Sequence, residues 1–244
     1  MRYKLLIEYE GTSFCGWQRQ KDDLSVQQII EDALKTIFKE DITLFGSGRT
    51  DAGVHATGQV AHFDVSDNLN LFKLRESLNA LVRPHPISIK DVELASDDFH
   101  ARFSAQKRIY HYKILNTVYP PSLLKNRVWW YKYPLDVELM NEAAQLLIGK
   151  HDFSTFRASE CQAKSPIKTI DSINLAKEDD IITMCIQAKS FLHHQVRNII
   201  GSLVLVGAKK WSVQDFEKAL QAKDRRAGGP TAPAEGLYFS KIIY

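Results

Sequence analysis

Hydrophobic positions alternate over residues 2–10, with Tyr3, Leu5, Ile7 and Tyr9 on one side, so this segment reads as a half-buried strand. Ser25 then opens a capping box with Gln28, a hydroxyl and an amide able to satisfy the first free N–H groups of a helix. Val26, Ile29, Ile30, Ala33, Leu34, Ile37 and Phe38 follow at helical spacing and form one apolar stripe. Two short β-rich runs, 42–45 and 59–65, come next. A second helix is expected over 71–82, with Leu71, Leu74, Leu78 and Leu81 inward and Pro84 and Pro86 stopping it. Residues 87–94 read as another strand.

That order, β-α-β-β-α-β, is the split βαβ or ferredoxin-like arrangement. The second half repeats it: a strand over 107–116, a helix over 136–148 ended by Gly149, and a hairpin of 167–176 with 181–190. A helix over 192–206, a short helix capped by Ser212 through Asp215, and a closing strand over 237–243 complete it. The expected fold is α+β: two ferredoxin-like halves with mainly antiparallel sheets, 1–100 and 101–244, and a seam near 96–106. No sequence repeat is visible, so the duplication rests on pattern alone. Two such sheets can pair edge to edge or leave a cleft, and a cleft of that kind is where a ligand is expected.

Composition narrows the class. With 44% hydrophobic and 25% charged residues, the chain is ordinary globular protein rather than a disordered or collagen-like one. The 32 basic residues exceed the 29 acidic ones by only three, so any nucleic-acid role must come from a local patch. Cys15, Cys161 and Cys185 are far apart and form no CxxC pair, which argues against a disulfide framework or a zinc ribbon and for reduced thiols in a cytoplasmic protein. The longest near-apolar run, 199–208, is short of the roughly 18–20 residues a bilayer span needs, so no membrane partner is expected.

The charge is unevenly spread. No Asp or Glu occurs from Phe99 to Leu135, a stretch that holds Arg102, Lys107, Arg108, Lys113, Lys125, Arg127 and Lys132 interleaved with nine aromatic residues. Cations neutralise phosphates and flat rings stack on exposed bases, a combination that suits structured RNA, although core aromatics beside a solvated strand face give the same composition. The segment Gly46-Ser-Gly-Arg-Thr-Asp-Ala-Gly53 is more informative. It is neither a Walker loop nor a GxGxxG turn, and it is expected to join two strands. Arg49 and Asp51 lie two apart and share a side if the backbone is extended. A free Asp has a pKa of about 3.9, so Asp51 should be a carboxylate, suited to act as nucleophile or base. Spacing alone leaves this loop balanced between a site and a glycine-rich hairpin with an exposed Arg–Asp pair worth about 0–1 kcal/mol. No His, Cys or Glu constellation suggests a metal.

GSGRTDAGVHA at 46–56 resembles the active-site segment of the tRNA pseudouridine synthase A family. YEGTSFCGWQRQ at 9–20, FHARFSAQKRIYHY at 99–112, GKHDFSTF at 149–156, SFLHHQVRNIIG at 190–201 and APAEGLYF at 232–239 resemble further segments of that family in the same order. The resemblance implies isomerisation of uridine to pseudouridine in the anticodon stem-loop of tRNA, with no cofactor and no metal. It implies Asp51 as the catalytic carboxylate, Tyr110 stacked on the target uracil, Arg197 paired with Asp51, and Arg49 holding the flipped nucleotide. It also implies a homodimer. Arg102, Lys107 and Arg108 are expected to add RNA contacts. The residues alone leave two other readings open: a non-catalytic RNA-binding module, though the RNP1 pattern is absent, and a hydrolase acting on free nucleosides through Asp51.

Overall fold

The computed structural model describes residues 1–244, which form two compact units: Met1–Gln106 with Tyr238–Tyr244, and Lys107–Leu237. The first contains β1 (Arg2–Tyr9), α1 (Val26–Phe38), β2 (Phe45–Gly46), β3 (His55–Asp64), α2 (Leu71–Leu81) and β4 (Ile87–Ala95). The closing strand β10 (Leu237–Ile243) returns to it. β1 lies between β3 and β4 and is antiparallel to both. The far side of β3 is shared: β10 runs parallel beside His55 and Ala56, and β2 pairs antiparallel at Ala61 and His62.

The alternation of β1 is fulfilled, with Tyr3, Leu5 and Ile7 fully buried. They pack in a core with Ile30 and Leu34 of α1, Leu74 and Leu78 of α2, and Phe63, whose ring stacks on Tyr3 at 5.4 Å and meets Phe38 at 5.9 Å. The Tyr3 phenol keeps its hydrogen bonds, donating to the Asp67 carbonyl at 3.0 Å and accepting from Leu69 N at 2.9 Å.

Three expectations for this unit change. The run 42–45 is not a full strand, because α1 supplies the partners a neighbouring strand would: Glu31 Oε1 accepts from Leu44 N at 3.1 Å and Gln27 Nε2 donates to Leu44 O at 3.0 Å. Leu81, expected inward, is 41% exposed, since α2 ends there and Val82 takes the buried place. At the start of α1, Ser25 accepts from Gln28 N at 3.2 Å, the Ser half of the expected capping box.

The second unit contains β5 (Lys107–Leu115), β6 (Trp129–Trp130), α3 (Val137–Gln145), β7 (Gly149–Asp152), β8 (Ile167–Glu178), β9 (Ile181–Ala188), α4 (Gln195–Gly207) and α5 (Val213–Ala222). β9 lies between β5 and β8, antiparallel to both, and β7 extends the β8 edge. Tyr112, Ile114, Met140, Ile182, Met184, Ile186, Ile199 and Leu203 are fully buried, which places the core between this sheet and its helices. Two helices are shorter than their apolar stripes. After Gln145 the chain tightens, with Leu147 N bonding Ala144 O at 3.0 Å and Ile148 N bonding Gln145 O at 3.1 Å, and Gly149 begins β7 at φ 98°. α4 starts only at Gln195, because residues 192–195 form a turn with His194 left-handed at φ 59°. The Ser212–Asp215 capping box of α5 is present in both directions.

Leu34 has no exposed surface, so Leu34→Ala is expected to cost about 2–5 kcal/mol of unfolding free energy, and Leu81→Ala under about 1 kcal/mol. Chemical-denaturation midpoints of the two variants measure this, and equal losses would contradict the inward and outward assignments.

Candidate active site

The loop between β2 and β3 carries Arg49, Thr50 and Asp51 without regular structure, and its polar groups are met by specific neighbours. Trp17 N donates to Thr50 O at 3.1 Å, Asp51 makes an isolated antiparallel bridge with Gly16, and Val54 N closes a turn on Asp51 O at 3.1 Å. Gly16 is required here: its φ is +114°, and a Cβ would lie 2.3 Å from Thr50 O. A Cβ on Gly46 would lie 2.4 Å from Trp17 Nε1, so the buried indole sits directly on the loop.

Side chains from two strands complete the anchorage. The Tyr9 phenol and the Thr50 hydroxyl share a buried hydrogen bond of 2.7 Å. Gln59, with no exposed surface, accepts from Ser47 Oγ at 2.7 Å and from Val60 N at 3.2 Å through Oε1, and donates through Nε2 to Gly48 O at 2.9 Å. Thr50 is therefore held inward while Arg49 is exposed and Asp51 partly so. A groove of about 320 Å³ in the same unit, lined by Lys4, Leu6, Val60, Glu93 and Ile242 among others, includes neither Arg49 nor Asp51.

In the second unit Tyr110 lies on β5 opposite Ile186, half-buried, with its ring edge-on to Phe191 at 5.2 Å. Arg197 sits in the first turn of α4 and is partly buried. Its Nε donates to Ala232 O at 2.7 Å, and Ala232 N donates to Arg197 O at 3.1 Å. Asn198, fully enclosed, bonds Phe156 O at 3.0 Å and accepts from Thr231 Oγ1 at 2.6 Å and Arg225 Nη2 at 3.2 Å. His193 and His194 fall within the helix expected over 192–206 but precede α4 instead, with His194 left-handed and the two rings 4.0 Å apart.

The expected RNA contacts differ in their surroundings. Arg102 is exposed, with its guanidinium 5.7 Å from the Phe103 ring. Lys107 lies 3.6 Å from Asp171, an acid of β8 that the acid-free stretch did not reveal. Arg108 donates to Lys189 O at 2.5 Å. Sequence reasoning missed Gln59, Tyr9, Thr50 and Asn198 as anchors. The available signal was an amide at the head of a largely apolar run, QVAHF for Gln59 and NIIGSLVLVG for Asn198.

Beside this loop, burial and the neighbouring His100 and Arg2 push the His62 imidazole down to about 4. Its Nδ1 accepts from Ala101 N at 3.2 Å.

A sequence profile described as tRNA pseudouridine synthase matches residues 5–104 and 143–244. The chain is 52% identical over 243 residues to tRNA pseudouridine synthase A of Paramagnetospirillum magneticum, covering 100% of this chain and 95% of that one. It is 48% identical over 244 residues to tRNA pseudouridine synthase A of Rhodospirillum rubrum, covering 100% of this chain and 88% of that one. The two relatives span residues 105–142, which the profile leaves out and which hold Tyr110. The class is thus an RNA-modifying isomerase. The chain belongs to the tRNA pseudouridine synthase family, whose members convert uridine to pseudouridine in tRNA. No helix is long and apolar enough to cross a membrane.

Removing the Gln59 amide leaves buried partners unmet, each costing about 1–3 kcal/mol. Gln59→Leu is expected to lower single-turnover pseudouridine formation about 10- to 100-fold through loop displacement. A folded variant with wild-type turnover would contradict the anchoring role. His62 also sets a pH dependence. Its unfolded imidazole takes a proton near 6.5 and the folded one near about 4, so the unfolded chain binds more protons between these values. Its contribution to stability is complete above pH 6.5 and is lost as pH falls toward 4. Melting temperatures across that range should fall less steeply for His62→Gln, and an unchanged slope would contradict the assignment.

Proposed function

We propose that this protein isomerises uridine to pseudouridine in the anticodon stem-loop of tRNA, with Asp51 as the catalytic carboxylate. The observation that carries the reading is the end-to-end similarity to two proteins named tRNA pseudouridine synthase A, joined to a loop in which Asp51 is fixed by backbone bonds on both sides. A stacked base must leave its helix before its sugar can be reached, at a cost of a few kcal/mol. The N1–C1′ bond then breaks, the held uracil turns, and a C5–C1′ bond forms. The proton on C5 is lost and N1 gains one, so no atom, electron or cofactor is consumed. An ionised Asp51 serves this either by attacking C1′ or by starting glycal formation, and in both routes the same carboxylate works at the sugar.

The other roles follow the family resemblance. Tyr110 stacks on the extruded uracil and takes the C5 proton, and Arg197 orients Asp51. Arg49 holds the flipped nucleotide through its phosphate. Arg102, Lys107 and Arg108 contact further phosphates. We assign the Asp loop to an N-terminal half, 1–100, and Tyr110 and Arg197 to a C-terminal half, 101–244, each of ferredoxin-like topology. The order β4-β1-β3-β2 in the first unit and the position of β9 between β5 and β8 in the second support that assignment. The working form is a cytoplasmic homodimer.

Asp51→Asn keeps the size of the side chain and removes its charge. It is expected to abolish pseudouridine formation, with tRNA affinity within about threefold of wild type. Comparable turnover in that variant would remove the catalytic role.

A further inference from the structure

The edge of the first unit next to the loop carries a ladder of rings that the reaction described above does not use. It begins inside, at His62 of β3, which is 2% exposed. Phe45 of β2 is paired with His62 across the strands, and the two rings stack at 5.1 Å and 22°. The turn after β4 adds His100, 4.7 Å from the His62 ring and 5.8 Å from Phe45. Phe103 follows, 4.4 Å from His100. His62 is 2% exposed and His100 partly buried, while Phe45 is 44% and Phe103 76% exposed.

The outermost ring is presented by a rigid turn rather than a loose one. Ala101 has no exposed surface, its N–H donates to His62 Nδ1 at 3.2 Å, and its carbonyl accepts from the Tyr244 phenol at 2.9 Å. Ser104 N bonds His100 O and Ser104 Oγ accepts from His100 N, both at 2.9 Å. Between these anchors only Arg102 and Phe103 face solvent, with the guanidinium 5.7 Å from the ring. A Phe left 76% exposed contributes little to folding. An ordered ring with a cation beside it matches the two halves of a nucleotide, a flat base and its phosphate. Phe45 belongs to β2, the strand that leads through Gly46 into the loop carrying Arg49 and Asp51.

We propose that Phe103, backed by His100 and Phe45, is a stacking platform for one unpaired base of the RNA substrate, and that Arg102 takes the adjacent phosphate. The inference rests on the tRNA reading above and adds a binding residue, Phe103, and a base contact to it.

The test is titration of an unmodified tRNA transcript with the full-length protein at several salt concentrations. Phe103→Ala and Phe103→Leu are each expected to raise Kd between about 5-fold and 100-fold, the span of base–aromatic stacking, while Phe103→Trp holds it near wild type. Arg102→Gln is expected to lower the slope of log Kd against log salt by about 0.7 to 0.9, one phosphate contact. Melting temperature and sedimentation should match wild type, because both side chains are exposed. Wild-type affinity in Phe103→Ala would overturn the platform. So would a loss that tracks a changed oligomeric state, which would make the patch an interface between copies. If wild-type protein forms pseudouridine and the platform variants bind tRNA as wild type does, the platform alone fails. If wild-type protein neither binds nor modifies tRNA, the functional reading fails first.

Discussion

In the mechanism proposed above a carboxylate has to meet one carbon of a sugar, which a loose loop would not allow, and the β2–β3 connection has no ladder of its own to stiffen it. Its backbone is held instead by groups brought from elsewhere in the first unit: the Trp17 amide, the Gly16 bridge, and the Gln59 side chain on Gly48 and Ser47. Each bond is worth only about 0.5–1.5 kcal/mol net, but each leaves a larger deficit if a buried partner is lost. The glycines at 16 and 46 matter for the same reason, since they let the Thr50 carbonyl and the Trp17 ring approach closely.

The second unit applies the same principle to a cation. α4 is apolar along nearly its whole length, and Arg197 lies in its first turn. The segment after Gly229 is pinned to that turn and to β5 by successive residues: Thr231 to Asn198, Ala232 to Arg197, and Pro233 to the Tyr112 phenol at 2.8 Å. Burial, with Glu235 nearby, pushes the Tyr112 phenol well above its ordinary pKa, so it stays a neutral donor. The guanidinium is thus oriented by a carbonyl whose own position is fixed three times over, which is how a charge is kept in place within an apolar helix without a rotamer search.

Periodicity made much of this frame legible. The buried side of β1, the stripe of α1 and the Ser212 cap follow from local pattern, because those contacts are set by spacing along one element. What pattern did not reveal depends on partners distant in the chain. Leu44 looks like strand residue until Glu31 and Gln27 are seen to take its backbone groups. Lys107 looks like a free cation until Asp171 comes beside it. The return of β10 to β3 joins the chain end to residue 55, and no local preference encodes it. The loop itself stood out by its glycines and its Arg-Thr-Asp core, but the anchors that fix it, Gln59 and Tyr9, are ordinary strand residues until their bonds are known.

The central claim is that a fixed carboxylate rearranges a glycosidic bond within tRNA rather than cleaving it. The most direct measurement is position-resolved nucleoside analysis of an unmodified tRNA transcript after incubation with the purified protein, with free uracil quantified in the same sample. The account predicts pseudouridine appearing at anticodon stem-loop uridines in step with uridine loss, with unchanged RNA mass and no free uracil. Release of uracil from the RNA, or no pseudouridine at any position, would contradict it.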